Sequence, residues 1–214
     1  MEYLVNDIVT EIRVALDQNM SSAALTALAD VDTLSLEQIV RSKIVDAVRQ
    51  VELTAPLWLL GRGIPFGTSI AWDTQEGIGS GYVLLPPDFL RLLSFQMTDW
   101  SQPVFDAIEP GSPKYQLQSS RFPGLRGNPQ SPVVALVNRS IGRVLEFYSC
   151  KGGEGTAIKQ ANYLPEPRIV EDKIYIPYKV KDAVIYYAAY LVALATEQTE
   201  QAKALLAVSQ SLIQ

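Results

Sequence analysis

Apolar residues recur at helical spacing near both ends of this chain, and the period disappears between them. Residues 3–18 place Leu4, Ile8, Ile12 and Ala15/Leu16 on one stripe, with Asp7, Glu11 and Arg13 elsewhere, which predicts an amphipathic helix. Residues 20–34 are small and mixed, with Ser21-Ser22, Asp30, Asp32 and Thr33 as turn signals. Ser35 followed by Gln38 reads as a capping box for a second helix over 36–54. Its broad apolar face carries Leu36, Ile39/Val40, Ile44, Ala47/Val48 and Val51, and Pro56 ends it.

The other end begins with an alternating stretch at 173–176, turns at Pro177 and continues as a helix. From Ala183 to Ala195 every residue is apolar or aromatic, with Tyr186, Tyr187 and Tyr190 supplying bulk. A helix apolar all round must be covered on several sides, by its own chain or by other subunits. The run is shorter than the roughly 20 residues that span a bilayer, so no membrane is expected as partner. Thr196 to Glu200 interrupts it, and a final helix then carries Ala202, Leu205/Leu206, Ser209 and Leu212/Ile213. The strand at 173–176 is expected to join the long helix to a β lobe.

Between Leu57 and Val170 glycine and proline become frequent and short β-like runs appear at 81–85, 91–97, 133–137, 144–149 and 157–163. In the fourth, Leu145 and Phe147 alternate with Glu146 and Tyr148, as in a strand with one buried face. Residues 112–119 predict a short helix with Pro113 in its first turn. The segments 61–80 and 120–132 read as long loops, which in a compact domain are functional or disordered. The expected class is α+β. Residues 1–60 and 172–214 form a helical bundle, and 61–171 form a β-rich insertion with an antiparallel sheet.

Composition narrows the chemistry. Apolar residues make up 48% and charged residues 19%, against typical values of roughly 45–50% and 25%. Low charge suits a surface covered by partners, although modest solubility explains it equally well. The net charge of −5 opposes a generic nucleic-acid-binding surface. An acidic wall could still guide a passing duplex without holding it, because affinity scales with phosphates neutralised. The chain has no histidine, which removes Ser-His-Asp and Cys-His nucleophiles, His-ligated zinc and imidazole proton shuttles. One cysteine, Cys150, allows neither an internal disulfide nor a Cys-based metal site. No basic segment followed by an apolar run opens the sequence, so synthesis in the cytoplasm is expected, and Asn138-Arg-Ser140 is not read as a glycosylation site.

The glycine clusters fail on spacing. Gly77-Ile-Gly79-Ser-Gly81 is not the dinucleotide fingerprint, and Lys151-Gly-Gly-Glu-Gly155 is not a Walker loop; both read as turns. Paired carboxylates are the remaining route to catalysis: Asp99 with Asp106, Glu171 with Asp172, or Asp73 with Glu76. A glycosidase or a magnesium-dependent cytoplasmic hydrolase would need two of them to converge in a cleft. Cys150 beside Lys151 could have a lowered pKa, but an inert thiol at a strand end is the expectation. Trp58, Phe66 and Trp72 are either a satellite hydrophobic cluster or anchors for a neighbouring subunit. The same pair of readings holds for Arg121, Phe122 and Arg126.

Several features in order resemble a known family. They are Leu84-Leu-Pro-Pro-Asp-Phe-Leu-Arg91, then Trp100, Tyr115-Gln116, Phe147-Tyr148, Tyr163 with Pro165 and Pro167, Asp172 to Pro177, and an Ala/Tyr-rich helix. This order is similar to the head-to-tail adaptor proteins of tailed phages, of the tail tubular protein A type of short-tailed phages and the ring proteins of crAss-like phages. It covers residues 36–214, with a doubled proline at 86–87. The N-terminal helix and the loop 61–80 are longer than the family minimum.

The resemblance implies a non-enzymatic virion protein of the neck, assembled in the host cytoplasm, without cofactor or metal. About twelve copies would form a ring beneath the portal protein, extend the DNA channel and receive the next ring or tail protein. DNA would be cargo only. The assembly face is expected in loops 61–80 and 120–132, and the portal contact on the last helix at Leu205, Leu206, Leu212 and Ile213. The alternatives are the carboxylate-dependent hydrolase and a monomeric binding module whose β lobe recognises its ligand.

Overall fold

In the computed structural model the described residues are 1–16, 36–67, 69–73, 79–120, 122, 124–151 and 155–214. Their elements in chain order begin with β1 (Glu2–Leu4), α1 (Val5–Ala15), α2 (Leu36–Thr54) and α3 (Leu57–Leu60). The middle holds β2 (Ile64–Pro65), β3 (Ala71–Trp72), β4 (Gly79–Leu84), β5 (Phe89–Met97), α4 (Pro113–Gln116), β6 (Val134–Arg139), β7 (Gly142–Cys150) and β8 (Ile158–Pro165). The chain closes with β9 (Ile169–Val170), β10 (Lys173–Tyr175), α5 (Lys181–Ala195) and α6 (Thr199–Ser211). The class is α+β, with antiparallel strand pairing in every sheet. Two compact units divide the chain: Met1–Gly61 with Glu166–Gln214, and Arg62–Pro165.

In the first unit α5 lies against α1, α2 and α6. Ile8 and Ile12 of α1, Ile44 and Val48 of α2, and Val184 and Ala188 of α5 are fully buried. Ser209 of α6 donates its hydroxyl to the Ala183 carbonyl at 2.9 Å. A buried hydroxyl needs such a partner, since leaving it unmade costs about 1–3 kcal/mol.

The helix expected over 3–18 starts later. Residues 2–4 pair instead as β1 with β10, with Tyr3 opposite Ile174, and the Val5 amide donates to the Asp172 carbonyl at 2.9 Å. Residues 17–18, the turn signals at 20–34 and the Ser35 cap fall outside the described residues. The strand expected at 173–176 does not join a β lobe: β10 is the middle strand of the sheet β1-β10-β9, inside the helical unit. Two residues with positive φ, Glu171 (50°) and Asp172 (59°), close the β9–β10 hairpin. That is the backbone a two-residue turn with the right twist demands. Pairing of β9 with β10 is also why residues 166–171, expected in the insertion, lie with the helices.

The second unit contains two antiparallel sheets, β2-β8-β5 and β3-β4-β7-β6. Their common core includes Val83, Phe95, Met97, Trp100, Leu145 and Phe147. Phe95 packs beside Phe147 at 6.2 Å and edge-on to Trp100 at 5.6 Å. β7 departs from a one-faced strand, because Glu146 is buried as well as Leu145 and Phe147. The short helix α4 forms as expected, with Pro113 in its first turn and the Ser112 hydroxyl accepting the Tyr115 amide at 3.3 Å.

The loop expected over 61–80 is partly sheet. β2 pairs with β8 and β3 with β4. The approach is close at Gly63, where φ is +67° and an added Cβ would sit 2.4 Å from the Tyr163 carbonyl oxygen. Only glycine takes both that dihedral and that distance.

Candidate interaction surfaces

Of the acidic residues expected in pairs, Asp73, Asp99 and Asp172 each hold a partner within the fold. Asp73 is held by Arg139 at 3.8 Å, and its expected companion Glu76 lies outside the described residues. Asp172 accepts from Arg41 at 3.1 Å at the hairpin turn. Asp99 accepts the Lys151 backbone amide at 2.6 Å. Among the described residues no group of three or more Cys, Asp or Glu could hold a metal ion, and no helix is long and apolar enough to cross a membrane. Burial, then the charge of Asp99, pushes the Cys150 thiol up to about 12, so Lys151 does not activate it.

A polar cluster surrounds Glu146. Its carboxylate accepts from Arg139 Nε at 2.7 Å, from the Tyr115 hydroxyl at 3.2 Å and from the Tyr148 hydroxyl at 2.5 Å. Arg139 also stacks over the Tyr82 ring at 4.1 Å. Burial and the neighbouring Glu146 raise the Tyr148 pKa. Every strong group here has its partner, so the cluster fastens α4 to the outer side of the sheet.

Of the residues expected at interfaces, the structure exposes some and buries others. Trp58 at the start of α3 is 65% exposed, with Lys179 Nζ over its ring at 5.3 Å. Tyr178, 72% exposed, lies in the turn that meets α3. The pattern gave no signal for Tyr178, because an aromatic after Pro177 reads as part of the strand. Phe66 is a correction. It is buried between Phe89 and Tyr163, edge-on to the latter at 5.7 Å, and belongs to the β core. Trp72 is half-buried edge-on against Phe147 at 5.3 Å, so the satellite-cluster reading describes it. Leu205 is a second correction, buried where α6 meets α5; Leu206 and Ile213 are half-buried and Leu212 is exposed.

The segment after α4 presents Phe122, 70% exposed, with Leu117 and Leu125 also exposed. Arg126 is half-buried and Arg121 lies outside the described residues. Hydrogen bonds hold its two ends. Buried Gln118 accepts the Gly127 amide at 2.8 Å and donates to the Lys114 carbonyl at 2.8 Å. The Asn128 side chain accepts the amides of Gln130 and Ser131, each at 3.0 Å.

No family model matches the chain, and no curated protein matches it.

Proposed function

We propose that this chain is a head-to-tail adaptor of a tailed phage, a structural protein that forms a ring below the portal, extends the DNA channel and docks the next tail component. The observation that carries the reading is the division of the chain. Its two ends fold together as one mostly helical unit, and Arg62–Pro165 folds as a β unit between them. This division supports the helical bundle with a β-rich insertion that the sequence resemblance implies. Two further points support it. Large apolar side chains, Trp58, Tyr178 and Phe122, stand exposed in both units, and such side chains mark contact surfaces more than chemistry. The net charge of −5 suits a wall past which DNA slides without being held.

The twelve-fold ring, the portal contact through the last helix and the place in the virion neck belong to this proposal. The face of α6 open to a partner is the Leu212 end, since Leu205 is spent inside the unit. Electron microscopy of the purified chain mixed with a portal protein tests the function. The expected image is a second ring beneath the portal. A chain that never joins the portal ring refutes it.

A further inference from the structure

Glu52 is 2% exposed in the last turns of α2, and Arg49 stands three residues before it on the same helix. Residues at that spacing are neighbours on a helix surface. The Arg49 guanidinium holds the Glu166 carboxylate at 2.9 Å, where both side chains are partly in solvent. One cation therefore stands beside two carboxyl groups, one buried and one at the surface. Glu166 is also the first residue of the helical unit after the chain leaves the β unit at Pro165. Pro165 and Pro167 flank it, and neither has an amide hydrogen to donate. The side chain of Glu166 thus ties a stretch poor in backbone donors to α2.

Little other charge surrounds Glu52. α2 packs against α5 and α1. α5 has Lys181 and Asp182 in its first turn, and from Ala183 to Ala195 its titratable groups are Tyr186, Tyr187 and Tyr190. α1 has Asp7, Glu11 and Arg13, and Glu11 is taken by Lys181 at 2.6 Å. On α2 itself Asp46 and Arg49 are the nearest charges along the chain, and Arg168 follows Glu166 by two residues. Burial first, then the charge of Glu166, keeps the proton on Glu52 up to about pH 8.

We propose that Arg49, Glu52 and Glu166 form a proton-controlled clasp on the stretch where the chain returns from the β unit. While Glu52 is protonated, Arg49 is given to Glu166 and the stretch is fastened to α2. Once Glu52 loses its proton, its buried carboxylate needs a counter-charge, and Arg49 on the adjoining turn supplies it. Glu166 then loses its partner, faces a like charge and leaves α2. The step releases one proton to solvent and exchanges one ion pair for another. The clasp is closed at neutral pH and opens as pH rises past about 8. It belongs to the helical unit alone and is independent of the ring reading.

Pulsed electron spin resonance of the full-length chain, spin-labelled at Gln50→Cys and Arg168→Cys, tests it. Both positions are exposed, and buried Cys150 stays unlabelled in the folded chain. The expected result is one narrow distance at about pH 6.5 and a longer population that grows on the order of tenfold by about pH 9.5. Glu52→Gln removes the ionisation and should keep the narrow distance at both pH values. Arg49→Gln, a change at an exposed position, should show the longer population at both, and it decides the matter if Glu52→Gln does not fold. A parent distance that ignores pH, an equal lengthening in Glu52→Gln, or a narrow distance in Arg49→Gln overturns the proposal. Lengthening accompanied by loss of helical circular dichroism also overturns it, because the unit has then unfolded.

Discussion

Glu52 gives the sharpest test of the helical unit. It sits in the last turns of α2, 2% exposed, and burial, then the charge of Glu166, raises its pKa from 4.5 to about 8. Below about pH 4.5 the carboxyl is neutral in both folded and unfolded chain, and its burial carries no ionisation cost. Between 4.5 and about 8 the unfolded chain loses the proton and the folded chain keeps it, so stability falls as pH rises. The slope is about 1.4 kcal/mol per pH unit, with a ceiling of about 5 kcal/mol once pH passes the folded value. Glu52→Gln keeps the shape and removes the ionisation. Urea unfolding of both proteins from about pH 4.5 to about pH 9 reads the difference. The variant should match the parent at the acid end and exceed it by roughly 2–5 kcal/mol above pH 8. Parallel loss of stability in the two proteins across that range would refute the reasoning.

Gly63→Ala should destabilise the β unit by roughly 2–4 kcal/mol, since it meets both a positive φ and the Tyr163 carbonyl. Gly61→Ala, at φ 79° and ψ −159° but with nothing within 4 Å of the added carbon, should cost roughly 1–3 kcal/mol from backbone strain alone; thermal melts compare the two. Cys150, buried with its thiol pushed up to about 12, should react with a thiol reagent at neutral pH only after unfolding, a contrast read by absorbance with and without urea. Trp58→Ala should leave the melting temperature within a few degrees of the parent, because a residue 65% exposed contributes about 1 kcal/mol or less to the fold.

Helical periodicity was legible because a 3.6-residue stripe is a local signal. α2 runs over the residues its apolar face predicts, and α5 follows from its unbroken apolar run. β1 and β10 were not legible in the same way. Three residues at the N-terminus pair with residues more than 160 positions later, and nothing local in Glu2-Tyr3-Leu4 distinguishes that strand from the first turn of a helix. β2 and β3, two residues each, are too short for alternation to register. The candidate surfaces divide by the same logic. Trp58 and Phe122 stand out, whereas Phe66 looks equivalent in sequence and is buried, because only the third dimension brings Phe89 and Tyr163 against it. Tyr178 was missed because it borders a buried run and shares its composition.

The central claim, an adaptor that works as a ring, is tested most directly by native mass spectrometry of the full chain, alone and with the portal. A discrete closed assembly of about twelve copies is expected. A chain that remains strictly monomeric in both samples contradicts it.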